Sequence, residues 1–412
     1  MKRIVLGISD NPNSILSYGI LMDYLTKTTS HKYQWNVMVN GFSFGKPEIY
    51  PHYMKWPSGR DKSERNMKYV PKMIDKLSPE FVFSIGDWQY FINFKRSVPS
   101  KVPWIHWLPI DHEDSPHLIR ALYTVKTMDI PILMSNYAMD FLRGAGLVVE
   151  DYLYPFIQTD EFRTVDNTFD GFRKIKRGTE DHKKLMSFKK VINPDDKQML
   201  LFVGRPGWRK NLQILLGVFS ELINGRERKD VMLYLHTDIN DPASTFNIGK
   251  EIHAQRIPHK SIRFTKIIEW DVGAPKWFLR GLYNLADIFI SAHGGEGFGM
   301  PIAEAMACET PFIATNCTTT PELGKSDGIW KRGLGVKIAE SHEDRGVIRP
   351  YVDIHDFCDK IEYLLDHPQK RRTMGKNGRS WVVENCSIPV IQNKVLKILE
   401  KTETNKAVIK YD

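Results

Sequence analysis

Two glutamates, Glu296 and Glu304, bracket a glycine turn in the run HGGEGFGMPIAEAMA at 293–307. The apolar run Ile288-Phe289-Ile290 ahead of it reads as a buried strand. Gly297-Phe298-Gly299 follows, a backbone free to bend towards a ligand because glycine has no Cβ to clash. Met300 and Pro301 open a helix, where the missing proline N–H costs nothing, and Glu304, Ala305, Met306 and Ala307 continue it. A strand, a glycine turn and a helix start in this order aim free N–H groups and the positive helix end at one point, which makes an anion site. The two carboxylates flank that point and suit hydroxyl groups. A phosphate between two polyhydroxylated groups fits this layout, and a nucleotide-sugar has it.

A second constellation lies in MLLFVGRPGWRKNLQILL at 199–216. A buried strand ends at Gly204, and Arg205 and Lys210 follow before a helix begins. Two cations at the carboxyl end of a strand neutralise a pyrophosphate and favour a leaving group that gains charge. No D-x-D follows a suitable strand, and HTDIND at 236–241 reads as a polar turn, so no metal site and no cofactor are expected.

VGR with a lysine five residues beyond its arginine, followed by E-G-F-G-x-P-x-x-E-A-M-A, resembles the retaining glycosyltransferases of group 1, also called family 4, with the GT-B fold. Glu296 and Glu304 have the spacing of that family's E-x₇-E signature. VPWIHWLPIDHEDSP (102–116), ILMSNYAMDFLRGAGL (132–147) and FIQTDEF (156–162) extend the resemblance over essentially residues 1–385. It implies that Arg205 and Lys210 bind the donor phosphates and stabilise the departing nucleoside diphosphate. Glu296 would bond the donor sugar, Gly297, Phe298, Gly299 and Met300 would pack along sugar and phosphate, and Glu304 would take the ribose. His106, at the end of the WIH strand, matches a histidine near the reacting sugar, and Asp111 follows on the same loop for acceptor or sugar. Ile267, Ile268 and Glu269 correspond to the loop beneath the base. There are departures. The Gly-Gly loop common after the first strand is SDNPNSILSYGI, with Gly19 alone, and Thr318-Thr319-Thr320-Pro321-Glu322 replaces a second Gly-Gly. Gln158 stands where aspartate is usual. The implied reaction moves a hexose-type sugar from a GDP- or UDP-linked donor to an acceptor hydroxyl. A DNA- or polymer-modifying glucosyltransferase and a sugar-nucleotide epimerase are the alternatives.

The elements that must hold these groups alternate short apolar strands with longer amphipathic stretches, as parallel α/β units do. In the first half the strands fall at 4–8, 35–39, 81–85, 104–107, 130–134 and 151–154, with helices at 18–26, 67–77, 117–125 and 137–145. The polar stretch 161–197 reads as a connection with a surface helix. A second series has strands at 199–203, 231–236, 262–264, 288–290 and 311–314. Its helices fall at 211–223, 277–284, 357–366, 369–377 and 389–401. The expected fold is therefore α/β, with two Rossmann-like doubly wound domains facing a deep cleft. Residues 1–195 form an acceptor-side domain, 196–385 a donor-binding domain, and a helix within 386–412 crosses back to the first.

A chain of 412 residues exceeds one ordinary core, and 42% hydrophobic with 26% charged residues is globular composition. The N-terminal apolar run is cut by Asp10, too early for a signal peptide, and no stretch approaches a membrane span. The four cysteines show no metal spacing and read as reduced core residues of a cytoplasmic protein. The net charge of +9 is concentrated in part between Lys55 and Lys76, interleaved with Trp56, Met67 and Tyr69. That stretch reads either as a solvated face or as a peripheral contact with an anionic membrane or nucleic acid.

Overall fold

The computed structural model describes residues 2–14, 17–39, 46–57, 69–112, 118–147, 149, 151–165, 169–170, 173–174, 179–241, 244–265, 274–344 and 347–404. They form two compact units. The first gathers Met1–Phe156 and Cys386–Asp412, and the second gathers Ile157–Glu269 and Ala274–Asn385.

The first unit is built on a sheet of seven strands: β1 (Arg3–Ser9), β2 (Tyr33–Val39), β3 (Glu48–Ile49), β4 (Tyr53–Trp56), β5 (Phe81–Ile85), β6 (Trp104–Leu108) and β7 (Ile130–Leu133). Their order is β3-β4-β2-β1-β5-β6-β7, and only β3 runs antiparallel to its neighbour. The chain winds outward in both directions from β1, so β1 and β5 mark the topological switch. Near-continuous apolar strands such as Phe81–Ile85 are buried on both faces, as parallel sheets require. The β3–β4 hairpin was not expected from sequence. The expected strand at 151–154 shrinks to one bridge, Leu133 to Tyr152, because Leu153 spends its carbonyl on Trp107 Nε1 at 2.9 Å. Helix Ile388–Thr404 belongs to this unit: Gln392 Nε2 donates to Thr28 O at 2.7 Å, and Lys32 pairs with Glu400.

The second unit opens with a hairpin, β8 (Phe169–Asp170) and β9 (Arg173–Lys174). Its main sheet has β10 (Gln198–Val203), β11 (Val231–His236), β12 (Ile262–Phe264), β13 (Ile288–Ser291) and β14 (Phe312–Thr315). The small pair β15 (Lys325–Ser326) and β16 (Ile329–Trp330) precedes the sixth sheet strand, β17 (Gly333–Val336). The order β12-β11-β10-β13-β14-β17 is parallel throughout and reverses between β10 and β13. An antiparallel hairpin, β18 (Ile338–Asp344) and β19 (Val347–Val352), stands outside this sheet. β17 and this hairpin were both missed in the sequence.

Residues 157–195, assigned above to the first domain, cluster with the second unit. Helix Glu180–Ile192 lies against helix Lys276–Leu285, where an added Cβ on Gly281 would stand 2.9 Å from the Phe188 ring. Asn284 anchors the connection by accepting from Val165 N–H at 2.9 Å and donating to Arg163 O at 3.0 Å. The helix expected at 369–377 runs on to Cys386 through two glycines. Gly375 allows the close approach, since a Cβ there would meet Glu309 O at 2.0 Å. All four cysteines are free and buried, and among the described residues no helix is long and apolar enough to cross a membrane.

That helix is fastened by a buried ion pair. Arg371 donates to Asp287 Oδ1 at 3.1 Å, and Asp287 Oδ2 accepts from Met199 N–H at 2.8 Å. Removing one member leaves the other buried and uncompensated. Arg371→Met should therefore destabilise the protein by about 3 kcal/mol or more in urea unfolding.

Candidate functional site

The reversal between β10 and β13 brings the two sequence constellations to one sheet edge. β10 ends at Val203, just before Gly204; a single turn, Trp208–Lys210, precedes helix Leu212–Ser220. β13 ends at Ser291, and the buried loop 292–299 leads into helix Met300–Ala307. Gly299 takes φ +88°, a left-handed position that admits glycine at no cost, and Pro301 follows in the first turn.

Three cations meet two carboxylates here. Arg209 Nη1 donates to Glu296 Oε2 at 2.8 Å, and Lys210 Nζ pairs with Glu296 Oε1. The Glu296 side chain is only 8% exposed. Burial alone would raise its pKa, but Arg209 and Lys210 outweigh that and hold the carboxyl far below the usual range. Arg205 is not on Glu296. Its Nε and Nη2 donate to the two oxygens of Asp241 at 2.7 and 3.1 Å, and Asp241 is fully enclosed while Arg205 stays 50% exposed. HTDIND, read above as a polar turn, is thus the seat of the carboxylate that aims Arg205.

The glycine loop is stitched from three sides. Arg209 O accepts from Gly294 N–H at 2.7 Å, and Arg209 Nη1 also donates to Gly295 O at 2.8 Å. Asn211, itself left-handed at φ 48°, donates to Ala292 O at 3.0 Å and to Pro350 O at 3.3 Å. From β19, Arg349 donates to Gly294 O at 3.2 Å and its guanidinium lies 5.0 Å from the Trp208 ring. The Thr318–Thr320 turn supplies the rest. Glu296 N–H donates to Thr318 Oγ1 at 3.0 Å, and the Thr319 hydroxyl is shared between Glu296 O and Phe298 O at 3.2 and 3.1 Å. His293 bridges Ser291 Oγ and Thr320 Oγ1, each at 3.0 Å, and burial lowers its pKa to about 4, so it is neutral at pH 7. Threonines in place of a Gly-Gly therefore close the loop with side-chain hydroxyls.

Glu304 is one helix turn away and keeps part of its surface open. Its carboxylate accepts from Tyr283 O–H at 2.8 Å, and enclosure by apolar neighbours raises its pKa to about 7. Phe298 is 4% exposed and packs as core, so only its backbone and that of Gly297 and Gly299 can serve a ligand. Ile268, with Ile267 and Glu269, lies outside the described residues.

The remaining candidates sit in the first unit. His106 is not at the end of its strand: β6 continues to Leu108 because Trp107 and Leu108 pair with Ile132 and Leu133. Its ring is fully buried, 4.2 Å from that of Phe91, with Nδ1 2.6 Å from Ser84 Oγ. Burial lowers its pKa to about 3, so it stays neutral. Ser84 Oγ also accepts from Trp104 Nε1 at 2.7 Å, which makes this a core network. Asp111, partly exposed, lies in the loop beyond β6, at the carboxyl edge. Gly19 is buried in the first turns of helix Ser17–Thr29, where an added Cβ would stand 2.2 Å from Asn11 O. Of the basic stretch, Lys55 pairs with Glu48 at 2.9 Å and Lys76 lies over Trp56 at 4.5 Å, while 58–68 are outside the described residues.

Arg209, Asp241, Asn211 and Arg349 were not singled out as site residues from sequence; the threonine turn was, as the replacement of a Gly-Gly. Only the R-K-N run at 209–211 carried a local signal, because it abuts Lys210.

The fold is shared with known proteins. The profile of the family described as glycosyl transferases group 1 matches residues 197–367. MMP α-(1→4)-mannosyltransferase of Mycolicibacterium hassiacum is 27% identical over 176 residues, 43% of this chain and 37% of that protein. Spore coat protein SA of Bacillus subtilis is 25% identical over 208 residues, 50% of this chain and 49% of that protein. The chain thus spans less than half the length of these curated relatives. Sucrose-phosphate synthase from Thermosynechococcus elongatus superposes over 98% of this chain and 100% of its own, with TM-score 0.74 and 16% identity. Anabaena HepE in complex with UDP-glucose superposes over 97% and 99%, with TM-score 0.69 and 12% identity. The chain has the GT-B fold. The cation–carboxylate site lies within the residues that match the group 1 glycosyltransferase profile.

Glu304 gives this site a pH signature. In the unfolded chain a glutamate ionises near 4.5, whereas the folded protein keeps Glu304 protonated up to about 7. Its contribution to stability is therefore whole below pH 4.5 and is lost as pH rises through 4.5 to about 7. Glu304→Gln should remove that part of the loss, so the variant gains on wild type by roughly 2 kcal/mol between pH 4 and pH 8 in chemical unfolding.

Proposed function

We propose that this protein is a retaining glycosyltransferase that moves a hexose-type sugar from a nucleoside diphosphate sugar to an acceptor hydroxyl. The observation that carries the reading is the convergence of Arg205, Arg209 and Lys210 on one sheet edge with Glu296. A nucleoside diphosphate leaving group gains negative charge as the bond to the anomeric carbon breaks, while the sugar becomes cationic. Fixed cations and N–H groups at the phosphate act on the first of these charges. Glu304, at the far end of the E-x₇-E spacing and partly open, is the ribose group; Gly297 and Gly299 offer backbone along the phosphate. A relative named as a mannosyltransferase and a structural neighbour in complex with UDP-glucose support a sugar nucleotide, and the donor is taken as GDP- or UDP-linked.

Glu296 is a poor nucleophile because its charge is spent on two cations at hydrogen-bond distance. A double displacement through this carboxylate is disfavoured on that ground. Front-face substitution, in which the bond from the anomeric carbon to the phosphate breaks, the bond to the acceptor oxygen forms and the leaving phosphate takes the acceptor proton, meets the same stereochemical outcome without a covalent glycosyl-enzyme intermediate. Arg205 and Lys210 supply the positive charge at the diphosphate that a divalent ion supplies in other transferases. Asp111 in the loop after β6 binds sugar or acceptor, and the reaction takes place in the cytoplasm.

Donor identity follows from a thermal-shift screen over nucleoside diphosphates and their sugars, because a true donor stabilises by mass action. Arg205→Ala and Lys210→Ala should each lower turnover by about a hundredfold, and transfer should survive EDTA. Near-wild-type rates in both variants would remove the phosphate assignment, and complete loss on chelation would remove the metal-free mechanism.

A further inference from the structure

Glu296 has two cationic partners on one turn, and they are attached differently. Arg209 is tied through its backbone O to Gly294 N–H at 2.7 Å, and through Nη1 to Gly295 O and Glu296 Oε2, both at 2.8 Å. Its guanidinium is therefore part of the loop that carries Glu296. Lys210 reaches Glu296 from the end of a flexible stem. Its Cε lies 3.7 Å from where a Cβ on Gly204 would stand, so the stem runs along the mouth of β10 beside Arg205. A phosphate arriving at that mouth competes with Glu296 for the Lys210 ammonium. A buried carboxylate that loses its counter-charge is strongly destabilised, so a single-cation site would resist the exchange.

We propose that Arg209 is the standing counter-ion of Glu296 and Lys210 the transferable one. When a nucleoside diphosphate binds, Lys210 turns to the phosphate while Arg209 keeps Glu296 ionised and aimed. The inference rests on the donor reading above and makes Arg209 a positioning residue for it. The charged and titratable groups that face Glu296 are Arg209 and Lys210 from the turn after β10, His293 from its own loop and Arg349 from β19. The turn at 317–320 adds the Cys317 thiol, near His293 O, and threonine hydroxyls. His293 is neutral at pH 7, and Arg349 donates to Gly294 O with its guanidinium 5.0 Å from the Trp208 ring, whereas Arg209 donates to the Glu296 carboxylate itself at 2.8 Å.

The test uses the full chain as wild type, Arg209→Gln, which keeps N–H donors without the charge, and Arg209→Lys, which keeps the charge. UDP and GDP are titrated calorimetrically between about pH 6.5 and 8.5 in two buffers of different ionisation heat, which reads proton uptake on binding. In Arg209→Gln, departure of Lys210 leaves Glu296 uncompensated, so it takes up a proton when the nucleotide binds. A binding step that takes up a proton is favoured at lower pH. Affinity should fall about tenfold or more at pH 8.5, recover towards pH 6.5, and carry proton uptake beyond that of wild type. Arg209→Lys should restore most of the affinity and the wild-type pH profile. Carbon-13 NMR of the glutamate carboxyls in the free protein should show Glu296 titrating higher in Arg209→Gln than in wild type. An equal loss at every pH without extra proton uptake, or no loss at all, overturns the inference. If wild type binds neither nucleotide, the donor reading fails by itself. The NMR arm then still judges Arg209: an unmoved Glu296 titration refutes the counter-ion role.

Discussion

A carboxylate buried to 8% exposure has to be neutralised, and in this protein Arg209 and Lys210 do so from the neighbouring loop. That requirement organises the second unit. It couples the loop after β10 to the loop after β13, so the two can be placed only together, at the one point where the sheet order reverses. Isolated in apolar surroundings, Glu296 would take a proton; between two cations it is held charged. The glycine loop then needs its backbone spent in a defined way, and the Arg209, Asn211, Arg349 and Thr318–Thr320 bonds supply that order.

The same logic separates Arg205 from its neighbours. Asp241 is enclosed and would be costly alone, so the bidentate contact to Arg205 stabilises both groups while the Arg205 side chain stays 50% exposed. Such a cation is preorganised, which suits it to meeting phosphate charge. The hairpin β18–β19 adds a constraint from outside the sheet. Gly294 sits where an added Cβ would stand 3.1 Å from Arg349 Cβ, so a larger residue there would have to push the Arg349 side chain aside.

The first unit follows the same winding rule but ends in a different chemistry. The network Trp104–Ser84–His106 is enclosed, and Phe91 covers the imidazole. A histidine placed by analogy at a sugar is here inside the packing, and the loop beyond β6 that carries Asp111 is what reaches the carboxyl edge.

Periodicity and local residue chemistry were enough for the sequence to determine the alternating α/β architecture, the central strands of the two main sheets, and the identity of Glu296, Glu304, Arg205 and Lys210 as groups that follow strands. Buried parallel strands are continuous apolar runs, and glycine before a helix start is a local signal, so both are legible without a partner. What stayed illegible depends on contacts between distant segments. β17 and the β18–β19 hairpin are weakly patterned, helix 368–386 crosses two glycines because another segment lies against them, and residues 157–195 cluster with the second unit through helix 180–192. The pairing within the site is of that kind too. Sequence placed two cations on one loop and a carboxylate on another, but which cation meets which carboxylate is a matter of ångströms. Only the tertiary structure sends Arg205 to Asp241 and brings Arg209 to Glu296, because the low-dielectric interior forces each buried charge onto the nearest opposite one.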